Sequence, residues 1–228
     1  MAVQFAFGKI VTNGLVLALD AADRNSYPGS GTTWRDLSGN NNHMSLVNNP
    51  TFVNNNQGSS YLSFDGASDY GIVTVPVPDT TTGDRCCFEC FCYGPMTNST
   101  MLMAWGTAVH DIFISAGGIG FNTYNSDVYG ITTAPITNTW NHMVFNFYRG
   151  NYTLGSIYVN SVQQSLSFIS STQNTGNARF AGGELRIGAG GDGYNGNWRF
   201  NTVKVYNRAL SASEIQQNYN AQKSRFGL

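Results

Sequence analysis

The sequence predicts an all-β sandwich or jelly roll: two antiparallel sheets closed by one short C-terminal helix. Three observations carry this. Short runs rich in β-branched and aromatic residues recur along the chain, separated by turns such as Ser38-Gly39-Asn40, Asp65-Gly66, Arg149-Gly150-Asn151 and Gly190-Gly191-Asp192-Gly193. No alternation of strand and helix patterns is visible, which excludes a doubly wound α/β fold. The length, 228 residues, suits a single sandwich with a sizeable core of its own.

In chain order, strands are expected at Leu15–Asp20, Tyr61–Phe64, Gly71–Val75, Arg85–Tyr93, Met101–Trp105, Asp111–Ser115, Gly118–Asn122, Trp140–Phe147, Ser156–Val159, Leu185–Gly188 and Phe200–Tyr206. Residues 21–60 are polar and Asn-rich and read as long loops wrapping the sandwich. Residues 1–12 read as an apolar N-terminal arm (Val3, Phe5, Phe7, Ile10, Val11), docked on this domain's own sheet edge or on a neighbour; residues 13–228 form the domain. The helix start is complete in the sequence. Ser211 and Glu214 have the S-x-x-E spacing of a capping box, and Ile215 and Tyr219, four apart, share a face behind it.

Only 11% of residues are charged, and the net charge is −1. An average soluble domain is roughly 25% charged. This excludes an electrostatic footprint for nucleic acid or for an anionic membrane. Partners are met through hydrogen bonds, aromatic faces and apolar patches. The first residues lack the pattern of a signal peptide, and no run reaches membrane-spanning length, so synthesis in the cytosol is expected. The sequons at Asn98 and Asn151 are then chance matches.

The four cysteines, Cys86, Cys87, Cys90 and Cys92, lack a second ligand pair at zinc-site spacing. On a strand, Cys86, Phe88, Cys90 and Cys92 share one face and Cys87, Glu89 and Phe91 the other. Buried free thiols are expected, with a metal or a disulfide as alternatives. His43, His110 and His142 read as structural. Trp34, Trp105 and Trp140 fall at strand or motif positions and read as core.

Five motifs in order resemble the laminin G-like, concanavalin A-like jelly-roll domains. They are the opening strand Asn13–Asp20, Trp34-Arg35-Asp36-Leu37-Ser38-Gly39-Asn40-Asn41-Asn42-His43, Leu62-Ser63-Phe64-Asp65-Gly66 with Asp69-Tyr70, Trp140-Asn141-His142, and Ile157-Tyr158-Val159-Asn160. The closing Tyr206-Asn207-Arg208-Ala209-Leu210-Ser211 with Glu214-Ile215 resembles the same domains. The tail to Leu228 resembles versions on virion proteins of tailed bacteriophages. Two departures stand out: Met44 where members commonly have Gly, and Trp198 and Arg199 where small or acidic residues are common.

The resemblance implies a non-catalytic virion protein, a capsid decoration or fibre subunit present in many copies. Its partners would be other capsid or tail proteins and glycans of the host surface. A receptor-binding tail lectin is the alternative, and a glycoside hydrolase a third. Hydrolysis needs two positioned carboxylates, and no strand carries an alternating acidic run: Glu89 and Glu184 stand alone and Glu214 belongs to the cap. Sugar binding needs an aromatic face with polar neighbours. The loop bearing Asp192, Tyr194, Asn195, Asn197 and Trp198 offers both, as does 122–127 more loosely; covering the sandwich end is the alternative role. The resemblance also raises calcium, with Asp20, Asp65 and Asp69 as ligands and Asp36 nearby. The alternative is that Asp36 and Asp65 hold their own turns.

Overall fold

A computed structural model describes residues 9–55, 58–94, 99–106, 110–123, 127–133, 137–170, 178–191 and 193–228. The strands are β1 (Leu15–Asp20), β2 (Thr33–Trp34), β3 (Met44–Val47), β4 (Thr51–Val53), β5 (Tyr61–Ser63), β6 (Tyr70–Thr74), β7 (Arg85–Tyr93), β8 (Thr100–Trp105) and β9 (His110–Ser115). They continue with β10 (Gly118–Asn122), β11 (Tyr129–Ile131), β12 (Trp140–Tyr148), β13 (Ser156–Val159), β14 (Val162–Gln163), β15 (Ser167–Phe168), β16 (Glu184–Ile187) and β17 (Arg199–Tyr206). Helix α1 (Ala212–Gln222) follows.

Two antiparallel sheets form the expected sandwich. The eight-stranded sheet runs β14-β13-β12-β7-β17-β5-β4, with β1 pairing β17 beside β5. The nine-stranded sheet runs β15-β11-β10-β9-β8-β16-β6-β3-β2. Between them lies one large apolar core that includes Trp34, Trp105, Phe88, Phe121, Phe145 and Phe147. The period-two pattern of β7 places Cys86, Phe88, Cys90 and Cys92 in this core and Cys87 on the other face. All four cysteines are free and buried.

Residues 21–60 hold three short strands where the sequence suggests loops. Trp34, Met44 and Leu46 point into the core, but β2, β3 and β4 are two to four residues long. Runs that short leave little periodicity among the asparagines. The Trp-x-Asp-x-Ser-Gly-Asn motif does its work at an edge. Asp36 accepts from the Ala18 and Ser38 amides (both 2.8 Å), Leu37 N–H donates to the Ala18 carbonyl, and the Asn42 amide donates to the Val16 carbonyl. The loop thereby satisfies the free side of β1, which would otherwise be an open edge.

Helix α1 starts as its sequence dictates. The Ser211 side chain accepts from the Glu214 amide, and Glu214 accepts from the Ser211 amide at 2.9 Å. Arg208 pairs with Glu214 at 2.7 Å and also donates to the Asn13 carbonyl. Ile215 packs with Val11, Cys87, Val144 and Tyr206 on the outer face of the eight-stranded sheet. Tyr219 stacks against Phe91 and His142 on that same face. The described part of the N-terminal segment docks on its own chain: Val11 N–H donates to Asn218 and Gln217 donates to the Lys9 carbonyl. Residues 1–8 lie outside the described residues.

Candidate functional site

The loop singled out in the sequence sits at one end of the sandwich. Tyr194 is 42% exposed, and its ring meets Phe113 of β9 edge-on at 5.1 Å. Asn195 donates to the Ala67 carbonyl, which ties the loop to the 65–69 turn. Asn197 is exposed above Gly66 (φ +72°), where an added Cβ would lie 2.9 Å from the Asn197 nitrogen. Asp192 lies outside the described residues. Trp198 corrects the expectation of a sugar platform: it is 1% exposed, and its Nε1 donates to the Met101 carbonyl at 2.8 Å. Its ring fills the sandwich end against Gly94, where any Cβ would collide with it. Tyr194, Asn195 and Asn197 therefore share one exposed loop without the tryptophan.

The three aspartates considered for calcium do not form one cage. Asp20 is bound to Arg225 at 2.6 Å and accepts from the Ala22 amide. Asp65 accepts from the amides of Ala67, Ser68 and Asp69, which together hold its carboxyl down at about 2. Asp69 in turn accepts from the Asp65 amide, and burial and the nearby Asp65 push its pKa up. Among the described residues, no group of three acidic, histidine or cysteine side chains is arranged to hold a metal ion. Calcium needs six to eight oxygens, and these carboxylates are already spent on turns and an ion pair.

A second region was not foreseen. On the outer face of the eight-stranded sheet, the register aligns Trp140 of β12, Tyr93 of β7, Arg199 of β17 and Ser63 of β5 in one cross-strand row. Neighbouring strands stand about 4.8 Å apart, so Trp140 and Arg199 are about 10 Å apart across the sheet. Tyr61 and Tyr93 meet Trp140 edge-on at 5.5 and 5.9 Å, and Phe226, from the turn after α1, lies 4.8 Å from it. The Arg199 guanidinium lies over the Tyr93 ring at 4.6 Å and the Tyr61 ring at 5.5 Å. All five side chains are half-buried. Trp140 thus belongs to a surface and not to the core its motif position suggested. The pairing of four strands distant in sequence creates the row, so no local pattern announces it.

The rest of this face is closed by α1. Glu89, fully buried, is paired with Lys204 at 2.8 Å, and the same oxygen lies 3.1 Å from His142 Nε2. Its other oxygen accepts from Asn218 at 2.6 Å, and Lys204 also donates to Gln222 at 2.7 Å. Burial alone would raise the Glu89 pKa; the Lys204 ammonium and His142 outweigh it and hold the carboxylate ionised, well below its usual range. Burial pushes His142 the other way, down, and Glu89 offsets this only in part.

A family model described as the concanavalin A-like lectin/glucanases superfamily, of laminin G type, matches residues 70–216. The chain belongs to this superfamily. No curated protein sequence matches the domain. Among solved structures, it is similar to the botulinum neurotoxin serotype D ligand-binding domain in complex with N-acetylneuraminic acid. That match has a TM-score of 0.62 at 14% identity and covers 93% of this chain and 52% of that one. The sialidase of Trypanosoma rangeli in complex with sialic acid gives 0.62 at 15%, covering 93% and 33%. The binding domain of Paraclostridial Mosquitocidal Protein 1 gives 0.59 at 16%, covering 92% and 52%. This concanavalin A-like domain therefore spans about half, or a third, of the solved chains it matches, and the likeness is one of fold.

Proposed function

We propose that this domain binds carbohydrate without catalysis, at the Trp140–Tyr93–Arg199 row, and that it does so as a structural and adhesive subunit of a phage particle. The row carries the binding reading. It sets half-exposed aromatic rings beside a guanidinium and a serine hydroxyl, the combination that stacks a sugar ring and bonds its hydroxyls. Solved neighbours with this fold include chains crystallised with sialic acid or N-acetylneuraminic acid, which favours the same ligand class.

The glutamates support a non-catalytic role. A glycosidase acid must hold its proton near neutral pH. Glu89 is buried in an ion pair, Glu184 is 3.1 Å from Arg186, and Glu214 is held at about 2 by Arg208 and its helix cap. The particle reading rests on the likeness of the C-terminal segment to virion proteins. There the domain would sit in many copies, since weak single sites gain avidity by repetition. Two experiments test these readings. An array of bacterial surface glycans should show binding that Trp140→Ala weakens on the order of 10-fold, and immunogold microscopy of source particles should label head or tail. Turnover of a polysaccharide would overturn the first, and unlabelled particles the second.

A further inference from the structure

We infer that the sugar recognised at the row is acidic, a pyranose bearing an oxyanion that binds Arg199; this rests on the carbohydrate-binding reading above. The row carries an unbalanced charge. Among the described residues, the Arg199 guanidinium has no carboxylate partner and no side-chain hydrogen bond, only the faces of Tyr61 and Tyr93. The other arginines at comparable burial are matched: Arg149 with Asp79 at 2.7 Å, Arg186 with Glu184, Arg208 with Glu214 and Arg225 with Asp20.

Geometry adds to charge. The two tyrosine rings restrain the guanidinium plane, so the cost of ordering it is met before a ligand arrives. Its N–H fork is thereby left to a carboxylate or phosphate, which it matches in bidentate fashion. Trp140 stands about 10 Å away along the row, a span comparable with a disaccharide. An acidic residue bound at Arg199 would leave its neighbour against the indole. Tyr93, between them, touches both. A neutral sugar would use the aromatic faces but leave the cation unsatisfied.

The test is calorimetric titration of the full chain with matched ligands: a neutral glucose oligomer, the glucuronate oligomer and glucose 6-phosphate. The glucuronate oligomer is expected to bind on the order of 10- to 100-fold more tightly than the neutral one, and to weaken as salt is raised. Arg199→Gln should remove that preference and the salt dependence while thermal unfolding stays unchanged. Arg199→Lys should keep the salt dependence but lose most of the affinity. Preference for the phosphate over the glucuronate identifies phosphorylated sugars as the source of the oxyanion and upholds the inference. Equal binding of neutral and acidic oligomers overturns the acidic preference and leaves the carbohydrate reading standing. No binding of any sugar overturns both.

Discussion

Two cations on one face of β17, Lys204 and Arg199, sit five residues apart and have opposite fates. Lys204 is 2% exposed beneath α1, with Glu89 and Gln222 both bonded to its ammonium. Arg199 lies beyond the helix, half-buried between two tyrosines, with no acid against it. The covered cation is satisfied from within the chain because a buried charge without a partner is prohibitively costly. The uncovered one keeps water and leaves its hydrogen-bonding fork for a ligand. The difference teaches where to look on this sheet: the helix marks the part devoted to stability, and its edge marks where binding chemistry starts.

The largest effect should come from splitting the buried pair. Lys204→Met strands the Glu89 charge and is expected to cost about 3–5 kcal/mol in urea unfolding, whereas Arg199→Met should cost less than about 1 kcal/mol. Equal losses would erase the contrast between the two cations. Combining Lys204→Met with Glu89→Leu should recover most of the stability, since replacing a whole buried pair by apolar groups is often neutral.

Acid should act on the covered region next. Burial lowers both His142 and His110, the latter to about 3, where it stacks among Phe147, Phe121 and Phe180. Below the ordinary histidine value near 6.5, the unfolded chain takes up protons that the folded chain refuses, so stability falls as pH drops. For His110 the slope approaches about 1.4 kcal/mol per pH unit between that point and its folded value of about 3, and His142 adds to it in the same direction. The depressed Asp65 and Glu214 add a further loss below their ordinary range near 4, completed near their folded values of about 2. Thermal melts from pH 7 to pH 2 should show both phases, with His110→Leu flattening the first. A melting temperature constant down to pH 5 would contradict the neutral buried histidines.

Binding separates the row from the end loop on a smaller scale. Trp140→Ala should weaken glycan binding on the order of 10-fold, while Tyr194→Ala should change it less than about two-fold. The reverse ranking would move the site to the loop. The least visible effect concerns the cysteines. Burial pushes Cys86, Cys87 and Cys90 well up, so a thiol reagent at pH 8 should find no reactive group until the protein unfolds. Rapid labelling of native protein would show that α1 opens readily over β7.

Much of this was legible in the sequence where the signal is local. The alternation of β7 assigned each cysteine to a face, and the Ser211–Glu214 spacing set the helix start, because backbone geometry fixes both within a few residues. Legibility failed where distant strands decide a residue's surroundings. Trp198 looked like an exposed platform in a Gly-rich loop, yet the loop folds it between the sheets against Gly94 and Met101. Trp140 looked like core and lies outside, since it alternates with Met143 and Phe145, and the packing of the second sheet makes their face the inner one.

By itself, the sequence determined the all-β class, the order of the main strands and the capped helix. Each of these follows from periodicity and turn chemistry acting over short separations. Only the tertiary structure decided that Trp140, Tyr93 and Arg199 form one row, that Glu89 meets Lys204, and that Asp20 meets Arg225 in place of a shared site with Asp65 and Asp69. Those contacts join residues up to 205 positions apart, and their register comes from strand pairing and burial across the whole sheet, which no local pattern encodes.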